Sequence, residues 1–95
     1  MSASTDEEIV AAIRPILAMT AQRDVHAEVA ERLRYTTDPG GLAERDRNGE
    51  RMAELDREIC LASIEALSGI GMWHAAGMIR DALDAHDADM AANDS

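Results

Sequence analysis

From Met52 onward the apolar side chains recur at steps of three and four: Met52, Leu55, Ile59, Ala62 and Ala66. That is the spacing of a helix laid along another helix. A second stripe, Cys60, Ile64 and Leu67, joins it, so the segment is apolar nearly all round by Ile59, interrupted by Ser63 and Glu65. Such a segment is best buried at the centre of a bundle. Ser68-Gly69-Ile70-Gly71 then reads as a turn between two helices: Gly69 supplies the left-handed residue that ends the first, and Ile70 folds back as its hydrophobic contact. Beyond it the spacing resumes at Met72, Ala76, Ile79, Leu83, His86 and Met90. Gly77, beside Ala75 and Ala76, costs a helix roughly 1 kcal/mol relative to Ala, which predicts a close helix approach there. Arg80 and Asp84 are spaced as an i,i+4 pair. Residues 50–86 thus read as a helical hairpin around which the rest is organised, and they carry no catalytic motif.

The remaining composition bounds the partners. Ninety-five residues make one domain. With no Phe, one Tyr and one Trp, the core is aliphatic and Ala-rich, and the six Met residues favour an adaptable core or contact surface. Thin helices of this kind bury little area each, so a homodimer is a reasonable way to complete the core. The net charge is −10, concentrated at the two ends around a balanced middle. Phosphate binding needs a basic face, which excludes free nucleic acid as the expected partner and leaves a basic protein surface; the plainer reading is that the charge keeps a small domain soluble. The single cysteine, Cys60, cannot form an internal disulfide and suits a reducing cytoplasm. No apolar run approaches membrane-spanning length, and no secretory signal is apparent.

Along the chain, residues 1–4 are expected to fray. Thr5-Asp6-Glu7-Glu8 reads as a capping box, with acids at the positive end of the helix. Ile9, Ile13, Ile16 and Leu17 form a stripe interrupted by Pro15, which predicts a kink or break. A helical pattern continues to about Tyr35 through Leu17, Ala21, Val25, Val29 and Leu33, with Asp24, Glu28, Glu31 and Arg32 on its outer face. Thr36-Thr37-Asp38-Pro39-Gly40-Gly41 is the clearest loop. Leu42 to Arg47 reads as a helical turn, and Asn48-Gly49 weakens any continuous helix. The acidic tail after His86 is expected to be disordered.

Several groups invite chemistry and are better read as structure. His86, Asp84, Asp87 and Asp89 have metal-ligand character but lie at a terminus without a second His cluster. His26 and His74 read as ordinary boundary histidines. Cys60-Leu61-Ala62-Ser63 has the letters of a redox CxxS, yet a reactive thiol sits at an exposed helix N-terminus and Cys60 lies mid-helix. Gly69-Ile70-Gly71 has no preceding strand and is no phosphate loop. The arginines Arg32, Arg34, Arg45, Arg47, Arg51 and Arg57 alternate with acids, and pairs such as Arg51–Glu54 and Glu54–Arg57 account for them.

The last third carries a resemblance. Arg57-Glu58-Ile59-Cys60, a short break, then Ala75, Ala76, Ile79, Arg80 and Leu83 resemble the C-terminal ends of short uncharacterised reading frames in phages and prophages of proteobacteria. The match spans about 30 residues, mostly helix-core positions, and brings no catalytic residues with it. It implies a mobile-element origin. Small acidic products of that type are similar in kind to inhibitors of host defence, including anti-CRISPR proteins.

The sequence therefore reads as all-α: one domain over residues 1–95, a small bundle of three to five helices with a C-terminal hairpin and frayed ends at about 1–4 and 88–95. The expected function is non-enzymatic binding, with no cofactor and no metal. Acidic helix faces would dock on a host complex with a basic nucleic-acid-binding surface, such as a CRISPR effector, in the host cytoplasm. The contacts would be Asp24, Glu28 and Glu31 on one helix and Asp81, Asp84 and Asp87 on the other. No direct nucleic-acid or membrane contact is expected. The alternative is a structural or regulatory homo-oligomer, a homodimer in its simplest form.

Overall fold

The computed structural model describes residues 5–93. These residues form three helices and no strand: α1 (Asp6–Arg32), α2 (Pro39–Gly69) and α3 (Trp73–Asn93). Thr5 caps α1 in extended conformation, its hydroxyl accepting the Glu8 N–H at 3.2 Å. The cap leaves one orphan donor fewer, and three acids in the first turn face the positive helix end. The helix continues through Pro15, so the break that the sequence allowed there does not occur. Ile9, Ala12, Ile16 and Met19 are half-buried on both sides of the proline, so one packed stripe holds both halves. Pro15 and Ala11 are exposed, so water can satisfy the Ala11 carbonyl that loses its donor. The helix ends at Arg32, three residues before Tyr35, in a tightened turn closed by Arg34 N–H to the Glu31 carbonyl.

α2 begins inside the stretch that reads as a loop. Asp38 is its N-cap, accepting the Gly41 N–H at 3.0 Å, and Pro39 occupies the first helical position, where its missing N–H costs nothing. Gly41 must be small: a Cβ there would lie 2.7 Å from the Thr36 hydroxyl. The helix also continues through Asn48-Gly49, because the Asn48 side chain is consumed. Its amide nitrogen donates to the Glu44 carbonyl at 2.7 Å, and its oxygen lies 2.7 Å from His26 Nδ1 on α1.

The turn into α3 is a Schellman motif: Met72 N–H reaches the Leu67 carbonyl at 2.8 Å and Gly71 N–H the Ser68 carbonyl at 3.1 Å. The left-handed residue is Gly71, at φ 83°, and not Gly69, which remains helical. Nor does a neighbour press on Gly77; nothing lies within 4 Å of where its Cβ would be. α3 stays helical to Asn93, well past His86. Residues 1–4, expected to fray, lie outside the described residues.

The three helices lie side by side. α2 packs against α1 and against α3, while no Cα of α1 comes within 8 Å of one in α3. The Cα envelope measures 58 × 34 × 13 Å, a layer rather than a closed bundle. Among the described residues the buried apolar ones are Leu55 and Ile64 on α2 and Ala76 on α3. Leu55 and Ile64 are nine residues apart, about 180° around the helix at 100° per residue, as expected for a middle helix flanked on two sides. The core therefore follows the flanks of α2 and has little depth.

Candidate protein-binding faces

Polar clasps set how the helices meet. Arg23 of α1 pairs with Asp56 of α2. On the other flank Arg57 of α2 grips Asp87 of α3 with both carboxylate oxygens, at 2.6 and 2.8 Å. That hydrogen bonding holds the Asp87 carboxyl below its ordinary range and raises Arg57. Between α1 and α2, His26 Nδ1 meets Asn48 Oδ1. Because the Asn48 nitrogen already donates to Glu44, its oxygen faces the ring and His26 Nδ1 carries the proton. His26 is thus an interhelical strut. Arg51 stays within α2, 2.9 Å from Glu54 and 3.6 Å from Glu58. The expected Glu54–Arg57 pair does not form, because Arg57 turns to α3.

These clasps sort the six acidic candidates. Asp24 and Glu28 are exposed on α1 with no cation in salt-bridge range among the described residues. Glu31 is exposed and touches Arg34 at 3.3 Å. On α3, Asp81 and Asp84 are exposed and in no salt bridge among the described residues, though the charge of Asp84 acts on Arg57; Arg80, one turn before Asp84, does not reach it. Asp87 is the exception: it is half-buried and turned to Arg57, which partly neutralises its charge. Spacing explains the split, since steps of three drift by about 60° per step around a helix, and Asp81, Asp84 and Asp87 do not share one stripe. α1 and α3 lie on opposite flanks of α2, so the two acidic sets occupy opposite edges of the layer and form no single face.

One stripe of α1 changes character along its length. Val10, Leu17, Asp24 and Glu31 are seven residues apart and all exposed, Val10 by 48% and Leu17 by 60%. The first half of this edge is apolar and the second acidic.

Across the layer lies an open apolar groove of about 260 Å³, bordered by Ile9, Ile13 and Ile16 of α1, Leu67 of α2, Ile70 of the turn and Ile79 of α3. Its one polar side chain, Ser63, donates its hydroxyl back to the Ile59 carbonyl at 2.7 Å and offers a ligand little. Drug-sized ligands occupy pockets of roughly 300–1,000 Å³ with a few convergent polar groups; this groove is smaller and lacks them. A second groove, with Ala12 and Pro15 on one wall and Ala62 on the other, carries the carboxylates Glu8 and Glu65.

The metal-capable residues near the C-terminus do not converge. Among the described residues no three His, Cys, Asp or Glu side chains are placed to hold an ion. Cys60 is free, half-buried and mid-helix. No described helix is long and apolar enough to cross a membrane. Sequence reasoning missed the Asn48–His26 and Arg57–Asp87 partners, which are 22 and 30 residues apart and leave no local signal. No family model, curated protein or solved structure matches the chain.

Proposed function

We propose that the chain is a binding protein without enzymatic chemistry, and that the acidic half of the α1 edge meets a basic protein surface. The observation that carries this reading is the distribution of spare charge. Arg23, Arg51 and Arg57 are engaged within or between helices; among the described residues the arginines left exposed outside any salt bridge, Arg14, Arg32, Arg47 and Arg80, are outnumbered by exposed acids in no salt bridge, Asp24, Glu28, Asp81 and Asp84 among them. A surface of that kind is drawn to a positively charged groove and repels nucleic acid itself. In its finer form, the partner is a host complex built to hold nucleic acid, and the protein blocks that groove as an anti-defence inhibitor of the anti-CRISPR kind. That step rests on the resemblance to phage reading frames together with the charge.

The experiment is affinity capture of the tagged chain from a proteobacterial lysate carrying CRISPR systems, over a salt series, with a variant carrying Asp24→Arg and Glu28→Arg. Both residues are exposed and make no salt bridge among the described residues, so helicity should be unchanged. The expected result is a nucleic-acid-binding complex that is lost at high salt and not captured by the double variant. Equal capture by the variant refutes α1 as the contact; capture that salt does not weaken refutes the electrostatic basis.

The second reading, a structural or regulatory homo-oligomer, is favoured by a separate observation. Few side chains are fully buried, while large apolar ones such as Leu17, Met78 and Trp73 stand in solvent.

A further inference from the structure

We propose that a second copy of this chain covers the apolar groove, its own groove face stacking on the first to make a two-layer dimer of six helices. Area gives the first argument. A compact monomer of 10.3 kDa exposes about 5,400 Å²; this chain exposes 6993 Å². The excess is roughly 1,600 Å² per chain, or about 3,200 Å² for two, within the 2,000–5,000 Å² buried by obligate homodimers. Shape agrees: the radius of gyration is 16.9 Å, against about 12.4 Å for a compact 95-residue domain.

Charge selects the occupant. In a two-fold dimer each face meets its own copy, so a chain of net charge −10 self-pairs with least repulsion through a patch poor in acids. The groove is such a patch. Ile9, Ile13, Ile16, Leu67, Ile70 and Ile79 border it, no charged side chain lines it, and its one hydroxyl is satisfied internally. The acids Glu8 and Glu65 line the adjoining groove, which shares Ala12, Ala66 and Ile70 with this one, and so stand at the rim of the interface; Glu54 and Glu58 are exposed elsewhere on α2. Inside the groove a basic partner has nothing to pair with. The dimer stands independently of the acidic α1 contact, and the two respond oppositely to salt: screening strengthens association of like-charged copies and weakens capture of a basic partner.

Two measurements test it. In hydrogen exchange on the intact wild-type chain at low and high concentration, amides of residues 9–16 and 63–70 should gain at least tenfold protection as concentration rises. In sedimentation, Val25→Glu, at a 59% exposed position outside the groove, should keep the mass of two copies. Ile13→Glu, at a 41% exposed groove position, should sediment as one. If Ile13→Glu fails to fold, the wild-type exchange result decides. A two-copy mass for Ile13→Glu overturns the proposal, as does exchange in those segments that ignores concentration. A mass of one copy, or of three or more, for Val25→Glu overturns it equally.

Discussion

Among the described residues Leu55 is the one large side chain that is fully enclosed, at 0% exposure, and its truncation should reveal how thin the core is. Leu55→Ala removes about three methylene equivalents, worth roughly 2.4 kcal/mol at about 0.8 kcal/mol each. Because the site lies where α2 is packed on its flank, incomplete collapse adds a cavity cost, and buried Leu→Ala changes span about 2.7–5 kcal/mol. The expectation is roughly 3–4 kcal/mol per chain. In a dimer that unfolds and dissociates in one step both chains lose it, doubling the figure per dimer. Leu61→Ala is the control: six residues along the same helix and 48% exposed, it leaves no enclosed void and should cost about 1 kcal/mol or less. The assay is urea unfolding followed by far-UV circular dichroism at fixed protein concentration. Trp73 is a poor fluorescence reporter, being 69% exposed. A Leu55→Ala cost within about 0.5 kcal/mol of the Leu61→Ala cost would refute the claim that the core runs along the flanks of α2.

Gly71→Ala should destabilise by about 1–2 kcal/mol, because its φ of 83° strains any L side chain. Gly69→Ala should stabilise by about 0.5–1 kcal/mol, since that residue is helical with open space at its Cβ; thermal melts showing the same sign for both would contradict the turn. A double-mutant cycle on His26→Ala and Asn48→Ala should give a coupling of about 0.5–1.5 kcal/mol, and additive effects would remove the strut. Asp87→Asn should lower the urea midpoint near neutral pH. The folded carboxyl is depressed by its hydrogen bonds to Arg57, so this stability is full above the ordinary carboxylate value of about 4. It disappears as pH falls through the lower folded value. A gap between variant and wild type that persists unchanged below both values would contradict the Arg57–Asp87 link.

The helices themselves were legible because their stripes obey helical spacing over long stretches. The hairpin turn was legible from its glycines, and the N-cap at Thr5 from its hydroxyl ahead of three acids. What local pattern could not convey was resolved by tertiary partners. Pro15 and Asn48-Gly49 are punctuation in isolation. In the fold, one is carried by a stripe packed on both sides of it, and the other by a hydrogen bond to His26. Gly69 and Gly71 are equivalent to the eye, and only the Schellman bonds assign the left-handed position to the second. Asp87 resembles its neighbours Asp81 and Asp84 until Arg57, 30 residues earlier, turns toward it. The stripes also promised a buried central helix. They could not show that α1 and α3 would take opposite flanks of α2 and leave its third side uncovered, since the same pattern serves a closed bundle and an open layer.

The uncovered side of α2 is where a second copy would pack. Sedimentation equilibrium of the wild-type chain, at low and high salt, tests it most directly. The predicted result is a mass of twice 10.3 kDa with helicity intact, held more tightly as salt rises. A fully helical species of 10.3 kDa that persists across the concentration range would show that the open layer is stable alone, and would contradict the dimer.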